Sequence, residues 1–435
     1  MSRRRDGRKG ILSDADRDGE PRFADATTAA SNALEAWLGR LASRPAFGPL
    51  LQVPWAEQRA LGYGHTLREI CQQPIIWPKT AAAMAAAADR IRGALSAGGI
   101  RDSSGGLVLT GSGSSFFAGE CAVAHLQESL GVVTRALPAG AILTHPRAAL
   151  PPTGRFLVVS LARSGDSPES AAVVERLLGN ERAAQLLISC NREGALARRF
   201  GSAARVASVV LPAETNDQSL VMTSSFTNLV LAARSLSDPG ERSLKSGARL
   251  AGAARALLDG RADDVATLAR RGYPSAVYLG SGGRLGAAHE SALKMLESNG
   301  GRVATLADSF LGLRHGPMAA VGEDSLIVAF LSSDPVVRAY ERDVLLELQR
   351  KGLGRWRLVV GERIPHELTP GPEDVRIDVT GEDHPLDDGE LVLLDAVVGQ
   401  LLAFFRCLHG GGRPDSPSSG VIQRVVESFA IHANS

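Results

Sequence analysis

The sequence has little of what marks several common protein classes. Its 435 residues contain only four cysteines, Cys71, Cys121, Cys190 and Cys407, without a CxxC pair, which argues against a disulfide scaffold or structural zinc and favours a reducing, cytoplasmic compartment. The 48 basic and 47 acidic side chains leave a net charge of +1, so no overall field draws the chain to nucleic acid or membranes. No long apolar run follows the start, so we expect neither a signal peptide nor a membrane span.

The sequence contains an internal repeat. Hydrophobic residues make up 44% and charged residues 22% of the chain, so it can form sizeable cores, and its length fits two domains. Apolar runs ending in Gly-Ser-Gly place Gly111 and Gly280 169 residues apart, and the next runs place Ser164 and Ser333 at the same spacing. Each copy alternates short Val, Ile and Leu runs with amphipathic Ala- and Leu-rich stretches. This pattern predicts an α/β fold in which helices sandwich a parallel sheet, once per copy.

These patterns divide the chain into six segments. We expect a disordered basic tail (1–30), a helical lead (31–105), a first α/β domain (106–237), a helical connector (238–272), a second α/β domain (273–410) and a C-terminal tail (411–435) that docks near the functional site. The five basic residues among the first ten are interpreted as a solvated tail, and a nucleic-acid arm is the alternative.

Two serine-rich loops follow strands of the first copy, at residues 111–115 (GSGSS) and 163–167 (RSGDS). Ligands of parallel sheets bind at the carboxyl ends of strands, where hydroxyls, backbone N–H groups and helix N-termini can hold a phosphate. Plain Gly-Ser connectors are the alternative. Phe116 stands where a dinucleotide fingerprint needs glycine, and a P-loop Gly-Lys-Ser/Thr is absent. We therefore expect a small phosphoester, not a nucleotide.

The second copy carries titratable residues instead. Glu290, Lys294 and Glu297 follow i, i+4, i+7 spacing on one helical face. Glu297 comes eleven residues after Gly286, about 16 Å along a helix, too far for the second turn to hold the phosphate of a hexose on which Glu297 acts. The site would then be composite, and a solvated stripe of charges is the alternative. His315, in the turn RHGP, suits proton transfer to a ring oxygen, and a turn residue packed on the following proline is the alternative.

The chain resembles the tandem SIS (sugar isomerase) proteins, most closely the AgaS branch of sugar-phosphate ketose/aldose isomerases and aminosugar-phosphate deaminases. The resemblance covers nearly the whole chain beyond about residue 30 and extends more loosely to the isomerase half of glucosamine-6-phosphate synthases. The matching segments are LREICQQPIIW, LTGSGSSFFAGE, SLARSGDSPES, AETNDQSLVMTSSFTN, HESALKMLE, LGLRHGP and RPDSPSSGVIQRVV.

This resemblance implies flavodoxin-like sheets, a phosphosugar under the loops of the first copy, and a homodimer or larger assembly with sites shared between subunits. Glu297 would move a proton between C1 and C2, and His315 would open the sugar ring. Independently of the resemblance, Lys294 is expected one helical turn from Glu297, where it could neutralise developing negative charge. The substrate-binding residues implied are Ser112, Gly113, Ser114, Arg163, Ser164, Ser167, Thr223, Ser224 and Arg424.

The chain departs from the family pattern at three positions. Arg424 stands where the synthases have a lysine, and arginine cannot form a Schiff base. The AgaS pattern has another basic residue at His289 and a lysine at Met318, and both changes bear on substrate choice.

The expected activity is conversion of galactosamine 6-phosphate to tagatose 6-phosphate and ammonia without a metal or cofactor. The alternatives are a tagatose 6-phosphate type ketose/aldose isomerase, a glucosamine 6-phosphate deaminase, and a non-catalytic sugar-phosphate sensor.

Overall fold

A helical lead precedes the first sheet. The structure, a computed structural model, describes residues 23–379, 385–424 and 430–432. Helix α1 begins before residue 31, where the helical lead was predicted to start, and the rest of the predicted tail lies outside the described residues. The lead helices are α1 (Phe23–Leu41), α2 (Gly48–Leu51), α3 (Trp55–Leu61), α4 (Gly64–Ala86) and α5 (Ala88–Ala97).

The first lobe is a parallel sheet of five strands in the order β2-β1-β3-β4-β5. Its middle strand, β3, is buried along its whole length, as expected of a strand covered on both faces. The elements are β1 (Gly106–Gly111), α6 (Ser114–Leu130), β2 (Thr134–Pro138), α7 (Ala139–Thr144), α8 (Pro146–Ala149), β3 (Phe156–Ala162), α9 (Pro168–Leu178), β4 (Ala183–Ser189), α10 (Ala195–Phe200), β5 (Val206–Val210) and α11 (Ser224–Arg234).

The second lobe follows the long helix α12 (Glu241–Ala269) and repeats the strand order, since its sheet runs β7-β6-β8-β9-β10. This order is that of flavodoxin-like sheets, so the predicted fold class is confirmed. The elements are β6 (Ser275–Gly280), α13 (Gly283–Asn299), β7 (Ala304–Ser309), α14 (Phe310–Leu313), β8 (Leu326–Phe330), α15 (Pro335–Arg350), β9 (Trp356–Gly361), β10 (Val375–Asp378) and α16 (Asp388–His409).

Helices α6 and α13 bring the two lobes together. A Cβ on Gly286 would lie 2.7 Å from the backbone nitrogen of Cys121, so glycine permits this close approach. Helix α16 packs in the same region and is long and apolar enough to span a membrane, but 89% of its apolar window is buried inside the fold. It therefore serves as a core helix, and the packing sets the loops of one lobe beside the side chains of the other.

Candidate active site

A small cavity of about 120 Å³ lies at the carboxyl ends of β1 and β3. This is the point where the strand order of the first sheet reverses, which is the usual ligand position in open α/β sheets. We call it the β1/β3 cavity. Of the predicted substrate-binding residues, five line it: Ser112, Arg163, Ser164, Ser167 and Arg424.

Cationic and backbone groups converge on the β1/β3 cavity. Burial and the neighbouring Arg424 lower the pKa of the Arg163 guanidinium. Arg163 also donates to the backbone oxygen of Leu220 at 2.8 Å, and Arg424 donates to Oδ1 of Asn216 at 2.8 Å. Ser167 precedes the first turn of α9, whose N-terminus favours negative charge. Two guanidiniums, serine hydroxyls and a helix N-terminus suit a dianionic phosphate.

Buried carboxylates fix the loop that leads into α11. Asp217 accepts hydrogen bonds from the backbone N–H groups of Thr223 at 2.8 Å and Ser225 at 2.9 Å. Glu69 accepts from the backbone nitrogen of Ser219 at 3.1 Å. Burial, and the charge of Asp217, raise the pKa of Glu69. The two carboxylates thus hold the segment that positions the start of α11.

Thr223 and Ser224 are both buried at this helix start. The Thr223 hydroxyl has no hydrogen-bond partner within the described part of the chain, and an unpaired buried hydroxyl is costly unless a ligand or water satisfies it. Ser224 accepts from Nδ2 of Asn228 at 3.2 Å. The Thr223 hydroxyl is thus the freer of the two to bond a substrate.

Lys294 joins the two lobes. Its ammonium donates to Oγ of Ser114 at 3.1 Å and to Oε2 of Glu297 at 2.5 Å, and lies 3.4 Å from Oε1 of Glu290. Because Lys294 is only 2% exposed, the alternative of a solvated stripe of charges is wrong. Ser114 faces this lysine, and its role as a phosphate ligand stays a prediction.

Glu290 is the residue that the site prediction omitted. Its carboxyl group is fully buried, and Oε1 lies 3.4 Å from the Lys294 ammonium. Burial raises the pKa of Glu290 to about 7, where a carboxyl group can both take and return a proton near neutrality. The i, i+4 spacing to Lys294 was visible in the sequence, but the burial was not. Ser115, Ser170 and Met222 also line the β1/β3 cavity without having been predicted to.

His315 stands apart from these groups in the single chain. It is exposed in the turn after α14, and no hydrogen bond or ion pair between described residues links its side chain to Glu297. His289, one of the departures, pairs through Nδ1 with Oε2 of Glu120 at 2.9 Å and lies against the ring of Phe117. The structure therefore unites Lys294, Glu297 and Ser114 but not His315.

Comparison with known proteins identifies relatives along most of the chain. No protein-family model matches it, but it is 37% identical over 385 residues to an AgaS protein of Streptomyces coelicolor, covering 85% of this chain and 95% of that one. It is 34% identical over 331 residues to D-galactosamine-6-phosphate deaminase AgaS of Escherichia coli O157:H7, covering 75% and 85%.

A solved structure agrees with these relatives. The tagatose-6-phosphate ketose/aldose isomerase of Escherichia coli superposes with a TM-score of 0.76 at 30% identity, covering 85% of this chain and 97% of that one. The predicted resemblance is confirmed, and the chain belongs to the AgaS family of sugar-phosphate isomerases and deaminases.

Proposed function

We propose that this protein is an aminosugar 6-phosphate deaminase/isomerase that converts galactosamine 6-phosphate to tagatose 6-phosphate and ammonia. One observation carries the proposal: buried Lys294 contacts both Ser114, in the serine-rich loop 111–115 of the first lobe, and Glu297 on the second lobe. A phosphate-binding cavity and an acid/base pair thus adjoin across the lobe boundary. The named activities of the AgaS relatives support this reading.

The phosphate end of the substrate occupies the β1/β3 cavity in this proposal. Ser112, Ser164 and Ser167 donate hydroxyl protons to phosphate oxygens, Gly113 lets the loop approach, and Arg163 with Arg424 neutralises the charge. The cavity volume of about 120 Å³ accommodates the phosphate group alone, so the sugar extends out of the cavity. Thr223 and Ser224 then contact sugar hydroxyls.

Proton transfer takes place at the other end of the sugar. In the ring-opened aldehyde, Glu297 removes the proton on C2 while the C1 oxygen takes one from water, giving an enolamine and hydroxide. Glu297 returns its proton to C1, which leaves a protonated ketimine at C2. Water then adds to C2 and ammonia leaves, which yields the ketose phosphate. Lys294 stabilises the negative charge that develops on oxygen.

Glu290 positions the lysine in this scheme. Its carboxyl group lies 3.4 Å from the Lys294 ammonium in a fully buried setting, so it limits where that ammonium can move. Arg424 occupies the tail position where the synthases have a lysine, and a guanidinium does not form a covalent imine there.

Ring opening requires a second subunit in this proposal. The His315 side chain is exposed and unconnected to Glu297 of its own chain by any bond between described residues, which supports a homodimer in which His315 reaches the neighbouring site. Mixing Glu297→Gln with His315→Ala chains should restore about a quarter of wild-type turnover, because half the dimers regain one of two sites. Absence of restored turnover after verified subunit exchange would contradict shared sites.

A ketose/aldose isomerase that releases no ammonia is the second candidate. The solved relative is a tagatose-6-phosphate ketose/aldose isomerase, and the same C1–C2 proton transfer serves both reactions. The two candidates differ only in whether C2 of the substrate carries nitrogen.

The four described free cysteines are all buried, which supports a cytoplasmic setting for either activity.

The deciding experiment is a panel of hexose and hexosamine 6-phosphates incubated with purified protein. Ammonia and ketose phosphate are measured separately, with Glu297→Gln as the variant and Glu128→Gln, an exposed glutamate on α6, as the matched control. We expect ammonia and tagatose 6-phosphate from galactosamine 6-phosphate, lost in Glu297→Gln and retained in Glu128→Gln. Ketose/aldose exchange without ammonia supports the second candidate. No product at all, or full activity in Glu297→Gln, overturns the mechanism.

A further inference from the structure

A second cavity, larger than the first, lies at the far ends of α6 and α11. Its volume is about 550 Å³, within the range of small-molecule sites. Leu231 is the one aliphatic side chain in its described wall, which otherwise consists of serine hydroxyls, one histidine and charged groups. Such a wall does not suit an apolar ligand. It offers hydrogen bonds and charge, the chemistry of a polyhydroxylated anion.

The position of this far cavity mirrors that of the candidate active site. His125 in its wall lies 169 residues before Lys294, which is the spacing of the repeat. Helices α6 and α11 begin at Ser114 and Ser224 in the active site, and His125 follows Ser114 by about 16 Å of helix. The far cavity is thus the counterpart, on the first lobe's helix, of the place that Lys294 occupies on the second lobe's helix.

Arg234 is the group in the far cavity that most needs a partner. Its side chain is 8% exposed, and both of its terminal nitrogens lie 3.4 Å from Oδ1 of Asp387. Charge-assisted bonds are normally 2.7 to 2.9 Å, so this guanidinium is weakly neutralised. It also lies against the first turn of α16, where a Cβ on Gly389 would come within 1.9 Å of Nη1. A cation beside the positive end of a helix favours an anion between them.

The carboxylates of the wall are already engaged. Glu390 accepts from Ser246 at 2.8 Å and also pairs with Arg249. Asp387 caps α16 by accepting from the backbone nitrogen of Glu390 at 2.7 Å. Four basic residues, Arg234, Arg242, Lys245 and Arg249, line the wall with three acidic ones. Outside the wall, Glu241 pairs with Lys245 at 2.8 Å. An incoming phosphate would therefore exchange with carboxylates at the exposed cations and would meet the buried Arg234, whose own ion pair is long.

Hydroxyl and imidazole groups complete the wall. Burial and the nearby Arg234 lower the pKa of His125 to about 4, so the ring is neutral near pH 7 and lies 3.0 Å from Oγ of Ser237. A neutral imidazole and several serines suit sugar hydroxyls. We propose that the far cavity is a second binding site for a phosphorylated sugar, separate from the catalytic one; the choice of a sugar phosphate rests on the proposed function.

Calorimetry of the full chain tests this inference. Galactosamine 6-phosphate is titrated into Glu297→Gln protein, so that turnover does not disturb the heats, and into the same protein carrying Arg242→Ala and Lys245→Ala. These two side chains are 86% and 75% exposed, so their removal leaves the fold intact. Arg342→Ala, at an exposed ion pair on α15 with 46% exposure, is the matched control.

We expect two bound ligands per chain in the parent and in the control. The Arg242→Ala, Lys245→Ala protein should weaken one of the two sites at least tenfold. Unphosphorylated galactosamine and inorganic phosphate should each bind the far cavity at least tenfold more weakly than the sugar phosphate.

Two outcomes overturn the inference. They are a single site in the parent that the paired substitution leaves unchanged, and a second site that inorganic phosphate fills as tightly as the sugar phosphate. Failure of the proposed function is distinguishable, because it appears as absent turnover in the wild-type protein while the two-site titration persists.

Discussion

The two lobes share a strand order and a loop geometry, yet the described loops at the carboxyl ends of their strands are satisfied in different ways. Gly113 and Gly282 precede α6 and α13 with the same φ of 55°, a value that favours glycine. In the first lobe the loops after β1 and β3 border the β1/β3 cavity. The corresponding loops of the second lobe are filled by the protein's own side chains.

Two carboxylates accept hydrogen bonds from the loop that follows β8. Asp388 accepts from the backbone nitrogen of Ser333 at 2.6 Å and from the hydroxyl of Ser332. Glu341 accepts from the backbone nitrogen of Ser332 at 2.8 Å. These donors match those that the first lobe would offer to a phosphate. A tethered carboxylate thus occupies in the second lobe the place that we propose for the substrate phosphate in the first.

Two buried cations on α13 of the second lobe differ in how fully they are paired. Arg284 in the second lobe makes two bonds to Asp395, at 2.8 and 2.6 Å, with both side chains fully buried. Lys294 instead shares its ammonium between a buried and a partly exposed carboxylate. A closed pair serves stability, whereas an ammonium near an open cavity can respond to substrate. The comparison teaches that two copies of one fold can diverge when carboxylates of the protein itself satisfy the loop donors of one copy.

Replacing each buried cation gives the largest effect. Lys294→Met should lower turnover about 10³-fold, because the developing oxyanion loses its stabilising charge. Arg284→Met should leave kcat within a few-fold but destabilise the protein by about 3 to 5 kcal/mol, because Asp395 becomes an unpaired buried charge. Steady-state kinetics and urea unfolding measure the two effects. Equal losses of kcat in both variants would break the contrast between a catalytic and a structural cation.

The pH dependence of stability sharpens the role of Glu290. Its pKa rises from 4.5 to about 7 on burial, so the folded state binds more protons than the unfolded one between these pH values, and stability falls as the pH rises. Glu290→Gln imitates the protonated carboxyl group. The free energy of unfolding of this variant should therefore escape a loss of up to about 3 kcal/mol that the wild type suffers as the pH rises. Urea unfolding from pH 4 to 8 measures it.

The same titration contains its own control. Below about pH 4.5 the carboxyl group is protonated in both states, so the difference between wild type and Glu290→Gln should become constant. A difference that stays constant up to pH 8 would show that burial does not perturb this carboxyl group.

Removing the Asp388 carboxylate from the loop after β8 tests whether the loops of the two lobes are equivalent. Asp388→Ala leaves Ser333 and Ser332 without their acceptor and should cost about 1 to 3 kcal/mol. Added phosphate should restore more stability to this variant than to wild type, because a vacated loop of this geometry accepts an anion. Thermal unfolding at increasing phosphate concentration measures the restoration. Asp388→Asn keeps an oxygen acceptor and should lose less. Equal phosphate stabilisation of all three proteins would contradict the equivalence of the loops.

Local patterns explain what could be predicted from the sequence. The serine loops, the strands before them and the face shared by Lys294 and Glu297 each depend on residues close in the chain. Turn chemistry and helical periodicity specify such features. The 169-residue spacing added the two-lobed architecture, because matched runs repeat in order. Ser112, Arg163 and Ser164 were therefore identified before their meeting place was known.

Long-range packing explains what could not be predicted. Glu290 is buried on α13, whose Gly286 lies against Cys121 of α6, and nothing near Glu290 in the chain indicates that burial. Asp388 lies 55 residues from the Ser333 nitrogen that it satisfies, so the filled second site has no local signature. The exposed turn of His315 gives no indication of which subunit it serves. Each depends on contacts between distant segments.

Substitutions in the C-terminal tail should have the smallest effect of those considered, because the tail contributes to the β1/β3 cavity of the first lobe and not to the proton-transfer groups. Asp415 anchors the tail by accepting from the backbone nitrogen and hydroxyl of Thr66, both at 2.8 Å, and Arg424 then lines the β1/β3 cavity. Arg424→Ala should raise KM about tenfold with little change in kcat, because phosphate binding loses one charge-assisted contact remote from the reacting carbons. Arg424→Lys keeps the charge but not the fork of donors. Its KM should therefore lie between those of the wild type and Arg424→Ala. A fall in kcat without a change in KM would instead place the tail at the proton-transfer end of the site.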